Sequence, residues 1–108
     1  MIVSELLGHG FTEVALPDPE REIHGVYIGD LLSWVMGRAQ ADNAWITIMS
    51  NINVIAVATL ADTAVVILSE DVELPEEIVR QAEMKDVNVL RSPKPSYETA
   101  VLLYELLK

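Results

Sequence analysis

The sequence AWITIMSNINVIAVATLADTAVVIL, residues 44–68, decides the fold of this chain. It contains two short β-branched runs, at residues 45–48 and 64–68, separated by a polar turn and an almost wholly apolar segment. Two parallel strands need a crossover of a dozen or more residues, and this stretch provides that length. We therefore predict a strand, a polar turn at residues 49–51, a helix at residues 52–61 and a second strand.

Two other interpretations of this stretch are weaker. Residues 54–60 are rich in Val and Ile, which favours a strand, but the alanines among them and the strand-like flanks favour a helix. The uncharged run at residues 43–61 approaches the length of a transmembrane helix. Thr47, Ser50 and Asn51 interrupt it and no basic residues flank it, so we expect a buried core instead.

The flanking segments continue the alternation of strands and helices. Residues 3–7 predict a short helical turn that ends at Gly8, and residues 11–16 alternate as a half-buried strand does. Further strands are predicted at residues 25–29 and 87–90, and further helices at residues 31–41, 75–85 and 97–107. From residue 25 this order predicts an α/β fold, with three layers (α/β/α), a small, mostly parallel central sheet and one domain over residues 1–108.

Several positions carry more detailed predictions. Asp30 and Ser96 stand where N-caps belong, ahead of two of the helices. Gly37, in the middle of a helix, is expected to permit close packing of another backbone. The apolar sides of the first and last of these helices are assigned from spacing, as Leu31, Val35, Ala39, Leu32 and Met36, and as Val101, Leu102, Tyr104 and Leu106.

Composition excludes several classes of function. The chain has no cysteine, so disulfides, thiolate metal sites and thiol nucleophiles are absent. Seventeen acids against seven scattered bases give a net charge of −10, which opposes binding to nucleic acid or to an anionic membrane. The N-terminus lacks the basic flank and apolar core of a signal peptide. We expect a soluble, cytoplasmic protein.

Ligands of an open parallel sheet bind beyond the carboxyl ends of the strands, at helix N-termini. Polar side chains follow the predicted strands at these places: Ser50, Asn51, Asn53, Ser69, Ser92 and Ser96, with Asp30 and Ser33 at the preceding junction. They are either contacts for a small polar ligand or caps and turn formers, which Ser and Asn often are.

Catalytic and metal-binding patterns are not found in the sequence. His9 and His24 are the only histidines, and no G-x-S-x-G elbow is present. Five acids fall within residues 70–77, without the spacing of an EF-hand. An acidic first helical turn explains Glu76 and Glu77, and we expect a solvated acidic face that suits a basic partner rather than a metal site. No cofactor is expected.

The second half of the chain, VVILSEDVELPEEIVRQAEMKDVNVLRSP at residues 65–93, resembles the closing part of the DRTGG domain and of the N-terminal domain of HPr kinase. The earlier YIGDLLSWVMG, residues 27–37, resembles a segment of small stand-alone DRTGG-like proteins. The resemblance covers about residues 23–106 and implies a three-layer α/β fold. It also implies a regulatory attachment, of the kind found beside nucleotide-sensing CBS modules or ahead of a catalytic domain.

The residues that name this family are replaced here. The Asp-Arg pair falls near Met49, Ser50 and Asn51, and the Thr-Gly-Gly falls on Ser69, Glu70 and Asp71. HPr kinase carries its phosphate-binding loop in its C-terminal domain, and this chain has no G-x-x-x-x-G-K-[ST] motif. We therefore expect no kinase activity.

Two functions remain open on this basis. The first is a non-catalytic regulatory or protein-interaction module that forms a homodimer and meets a basic protein or an enzyme. Its motivation is an excess of apolar residues on short helices: Leu31, Trp34, Val35, Met36, Leu102, Leu103, Leu106 and Leu107. The alternative is a sensor domain for a nucleotide or another polar metabolite, with its site at the carboxyl ends of the strands.

Overall fold

The central crossover forms as the sequence predicts. Strand β3 (Ala44–Thr47), helix α2 (Asn53–Ala61) and strand β4 (Val65–Leu68) follow one another in the computed structural model, which describes all residues from 1 to 108. Every residue of β3 and β4 is buried. Parallel strands covered on both faces read as continuous apolar runs, which explains the two β-branched runs in the sequence. The helical interpretation of residues 54–60 is confirmed.

The remaining elements complete a five-stranded sheet in the order β1-β5-β4-β3-β2. They are a 3₁₀ helix (Val3–His9), β1 (Thr12–Ala15), β2 (Val26–Ile28), α1 (Leu32–Arg38), α3 (Glu76–Met84), β5 (Val89–Arg91) and α4 (Ser96–Leu107). Strands β2 to β5 are parallel, and β1 pairs antiparallel with β5 at one edge. Successive right-handed crossovers in one direction place their helices on the same side of a sheet.

Two apolar clusters lie on the two faces of the sheet. One contains side chains from α1, α2 and α3, packed on Trp45, Val66 and Val89. The other contains the 3₁₀ helix and Leu103 of α4, packed on Ile46, Ile67 and other sheet residues. The predicted three-layer architecture with a mostly parallel sheet is therefore confirmed. None of the helices combines the length and the apolar character that a bilayer crossing requires.

The amino-terminal edge of the parallel sheet is closed by buried and half-buried polar side chains. Asn43, just before β3, accepts the backbone N–H of Gln40 at 2.8 Å and donates to the carbonyl of His24 at 2.8 Å. Asn88, just before β5, exchanges hydrogen bonds with the backbone of Asp18 and donates to the Ala64 carbonyl at 3.0 Å. These amides join loops that are distant in sequence.

Arg21 completes this amino-terminal edge. Its guanidinium donates to Oδ1 of Asp42 at 2.8 and 2.9 Å and to Oδ1 of Asp62 at 2.9 Å. Burial opposes the charge, but the hydrogen bonds and the attraction of the two carboxylates outweigh it, so the pKa of Arg21 is raised. Both aspartates precede strands and take left-handed φ values of 69° and 58°.

Several detailed predictions are wrong. Asp30 does not cap α1, because the N-cap is Leu31 and has no side-chain hydrogen bond. Ser96 is the first residue of α4 rather than its cap. The short N-terminal helix continues through Gly8 and ends at His9, with Gly10 in the left-handed region at φ 92°. Nothing lies within 4 Å of a Cβ built on Gly37, so that glycine does not serve close packing inside this chain.

The predicted apolar sides of two helices are only partly confirmed. On α1, Val35 is buried, whereas Met36 and the N-cap residue Leu31 are exposed. On α4, Leu103 and Thr99 are the fully buried residues, whereas Val101 and Tyr104 are exposed. Each of these segments has more apolar residues than one buried side requires, so helical spacing alone could not select the buried ones.

Candidate functional site

A cleft of about 950 Å³ opens at the carboxyl edge of the sheet, beyond the end of β3. One wall is the turn between β3 and α2, and the other is the beginning of α3. Its lining residues are Ile48, Met49, Ser50, Asn51, Ile52, Pro75, Glu77, Ile78 and Gln81. The cleft is therefore an apolar concavity with a hydroxyl, two amides and one carboxylate, at the place where open α/β sheets bind ligands.

Hydrogen bonds fix the β3–α2 turn that forms one wall. The carboxylate of Asp30 accepts the hydroxyl of Thr47 at 2.8 Å and the backbone N–H of Ile48 at 3.0 Å. Thr47 in turn accepts the Met49 N–H at 3.2 Å, and the side chain of Asn51 accepts the Asn53 N–H at 2.9 Å. These bonds fix the turn. Asp30 does not line the cleft itself, but it positions Ile48, which does.

Ser69 and Ser92 lie in a different cluster and are buried. The hydroxyl of Ser69 lies 2.6 Å from that of Ser96, and the hydroxyl of Ser92 lies 2.8 Å from that of Thr99. These two pairs join the ends of β4 and β5 to the beginning of α4. Each hydroxyl has a partner inside the protein, so the cluster serves as a structural junction.

The predicted site residues therefore fall into three groups. Ser50 and Asn51 line the cleft and Asp30 supports it, whereas Ser69, Ser92 and Ser96 form the hydroxyl cluster. Asn53 and Ser33 are exposed on α2 and α1 and do not line the cleft.

The sequence interpretation missed Glu77 and Gln81. They line the cleft from α3, the next helix along the chain, rather than from a strand end. The alternation of strands and helices places α3 beside α2, and only that placement could have pointed to them.

The lining of the cleft contains one acid, Glu77, and no base. Arg91 Nε lies 3.2 Å from Asp71 Oδ1, Arg91 Nη1 lies 3.5 Å from Glu73 Oε1, and Arg80 Nη1 lies 3.5 Å from Glu76 Oε1, so these two arginines are engaged with acids. No group of three or more His, Asp or Glu side chains is placed to hold a metal ion.

The loop after β4 has an unusual backbone. Glu70 and Asp71 have φ values of 59° and 57°, in the left-handed region that glycine adopts without penalty. Their N–H groups donate at 2.9 Å to the carbonyls of Lys94 and Ser92. The sequence resemblance places the two glycines of the Thr-Gly-Gly motif at these positions. The backbone here has the conformation that glycines favour, although the side chains are larger.

Comparison with known proteins supports the architecture and the family. The family model described as the DRTGG domain matches residues 17–106. No curated protein matches the chain significantly.

A solved structure similar to this chain is that of the CBS and DRTGG domains of the regulatory region of Clostridium perfringens pyrophosphatase, complexed with the activator diadenosine tetraphosphate. It has a TM-score of 0.71 and 12% sequence identity, and the match covers 92% of this chain and 44% of that chain. The chain thus spans less than half of that solved chain, and at this identity the likeness shows the fold alone.

Proposed function

This chain belongs to the DRTGG domain family, and from that premise we propose that it is a regulatory module, without catalytic activity of its own, that works as a homodimer in the cytoplasm. The proposal draws on the pyrophosphatase, in which the similar domain lies within a regulatory region. Within this chain, Ser69 and Ser92, which follow β4 and β5, hydrogen-bond to other hydroxyls rather than to a histidine or lysine side chain. Such pairs provide no base to activate a nucleophile.

One observation carries the homodimer. The outer surface of the layer formed by α1, α2 and α3 exposes large apolar side chains: Leu31 at 60%, Trp34 at 53%, Met36 at 50%, Leu60 at 71% and Met84 at 72%. Surfaces of this kind mark sites of protein association. The leucines of α4 supply less of this surface than the sequence suggests, because Leu103 is buried and Leu102, Leu106 and Leu107 are half-buried.

The test is the molar mass in solution. Light scattering on a sizing column, at micromolar concentrations, is expected to give twice the mass of the 11.9 kDa chain. A mass equal to one chain, unchanged up to the highest soluble concentration, would contradict the homodimer.

The cleft at the carboxyl edge supports a second function, a sensor domain for a nucleotide or another polar metabolite. Ser50 and Asn51 were predicted as ligand contacts, and they line this cleft together with Gln81. The hydroxyl and the amides suit the neutral base and ribose of a nucleotide. Glu77 opposes its phosphates, so we expect magnesium to favour binding by reducing that repulsion.

A thermal-shift screen with nucleotides, including diadenosine tetraphosphate, tests the sensor function. A ligand at a hundred times its dissociation constant stabilises a fold by about 2.7 kcal/mol, which raises the Tm of a domain of this size by roughly 10 °C. The variant Ser50→Ala with Asn51→Ala should lose most of that shift. If no nucleotide moves the Tm, with or without magnesium, the sensor function loses its support while the homodimer is unaffected.

A further inference from the structure

Helix α2 lies at the surface of the molecule and has no charged residue. Its nine residues, NVIAVATLA, contain only one strongly polar side chain, in a chain with 22% charged residues. Its outward positions include Ala56, Thr59 and Leu60, all exposed. The neighbouring α3 and its C-cap, Lys85, face solvent with charged side chains, as an ordinary surface helix does: Glu76, Glu77, Arg80, Glu83 and Lys85. Loss of charge from an exposed surface is typical of the core of a protein interface.

A groove runs along α2, between this helix and α3. It begins at the carboxyl-edge cleft and continues through a second concavity of about 400 Å³, which shares Ile52 and Gln81 with the cleft. The second concavity is lined by Ile52, Ile55, Ala56, Thr59, Leu60, Gln81 and Lys85. Residues 52, 56 and 60 lie four apart and form one stripe along the side of α2. The small side chain of Ala56, at the middle of the stripe, permits close approach of another helix.

The two ends of this α2/α3 groove carry opposite charges. Glu77 lies at the carboxyl-edge end and Lys85 at the other end. Neither side chain makes an ion pair within the chain, in which every pair involves other residues. A surface with an unpaired acid at one end and an unpaired base at the other is complementary to its own copy when the two copies run antiparallel.

We propose that the α2/α3 groove is the homodimer interface, in which the α2 stripes of two antiparallel copies pack against each other. The proposal rests on the homodimer and names the surface that forms it. A two-fold axis perpendicular to α2 brings Glu77 to the partner's Lys85, and the same contact forms a second time by symmetry. A two-fold axis parallel to α2 would instead bring Glu77 to the partner's Glu77 and Lys85 to the partner's Lys85, which are like charges. The antiparallel arrangement also brings a lysine of the partner to the cleft, whose own lining has only a carboxylate.

The first test places a charge in the stripe. Ala56→Glu keeps a good helix former at an exposed position, so the monomer should fold with an unchanged circular dichroism spectrum. Tyr104→Glu is the matched control, because Tyr104 is also exposed in a helix but lies on α4, on the other face of the sheet. Sedimentation equilibrium is expected to show a dimer dissociation constant at least about tenfold higher for Ala56→Glu, and little change for Tyr104→Glu.

The second test exchanges the charges at the two ends of the groove. Glu77→Lys and Lys85→Glu should each weaken the dimer about tenfold, because each creates two like-charge contacts across the two-fold axis. The double variant should restore the affinity of the unmodified chain.

These tests separate this proposal from the homodimer on which it rests. If Tyr104→Glu dissociates the dimer and Ala56→Glu does not, the homodimer stands and the α2/α3 interface is wrong. If the double charge variant remains as weak as the single ones, the antiparallel arrangement is wrong. If the unmodified chain is a monomer at all concentrations, both proposals fall.

Discussion

The two edges of the parallel sheet use their polar residues differently. At the amino edge, Arg21, Asn43 and Asn88 hydrogen-bond to residues 19 to 70 positions away and close the gaps between the loops. At the carboxyl edge beyond β3, Ser50 and Asn51 line an open cleft beside exposed apolar side chains. The difference indicates that the amino edge serves stability, and that binding is to be sought at the carboxyl edge and on the helices beside it.

The largest effect is expected from matched Asn→Ala substitutions at the two edges. Asn88→Ala leaves the Ala64 carbonyl and the backbone of Asp18 without their partners in a buried site, so it should destabilise the fold by about 3 kcal/mol. Asn51→Ala removes one exposed hydrogen bond to the start of α2 and should cost about 1 kcal/mol or less. Urea denaturation measures both, and equal losses would contradict the contrast between the edges.

Removal of the Arg21 side chain should have the next largest effect. Arg21→Ala leaves Asp42 and Asp62 facing each other without a cation and should destabilise the fold by about 2 kcal/mol, since both carboxylates retain partial access to water. Arg21→Lys keeps the charge but lacks the forked geometry of the guanidinium, so it should destabilise the fold by about half as much as Arg21→Ala. The raised pKa of Arg21 means that its contribution is present at ordinary pH and lost only in strong base, so the loss measured by denaturation should not vary between neutral and mildly alkaline pH.

The smallest effect is expected in the loop after β4, where a substitution should stabilise the fold rather than destabilise it. Glu70 holds a left-handed backbone at φ 59°, and its side chain makes none of the ion pairs of this edge. Glu70→Gly should stabilise the fold by about 0.5–1 kcal/mol, since glycine adopts this region without strain. Ala as the replacement keeps the Cβ and should bring no such gain. A Tm that is lower for Glu70→Gly than for Glu70→Ala would contradict backbone strain at this position.

Sequence patterns predicted the architecture because burial on both faces leaves a strong signal. The uninterrupted runs of β3 and β4, and the uncharged helix between them, permit few other folds. The direction of β1 could not be predicted, because an antiparallel edge strand and a parallel edge strand both alternate apolar and polar residues. The predicted caps are wrong because the side chains of Asp30 and Ser96 hydrogen-bond to Thr47 and Ser69, which are distant in sequence.

The candidate site was predictable only in part. The rule that ligands bind beyond strand ends selected Ser50 and Asn51, which line the cleft, but it selected Ser69 and Ser92 equally, and these are buried in hydroxyl pairs. Which polar residues face a cleft depends on how the neighbouring helix packs, and α3 supplies Glu77 and Gln81 without any local motif. The contribution of α2 was visible in the sequence as an uncharged segment, but only the fold shows that its outer side faces solvent.

Hydrogen–deuterium exchange at two protein concentrations tests the central claim most directly. Backbone amides of residues 52–60 and 77–85 should exchange more slowly in the concentrated sample, where the dimer is populated. Amides next to the amino-edge contacts, at residues 42–44 and 62–64, should exchange at the same rate in both. Slowing confined to α1 or to the amino edge, or exchange that does not depend on concentration anywhere in the chain, would contradict the account.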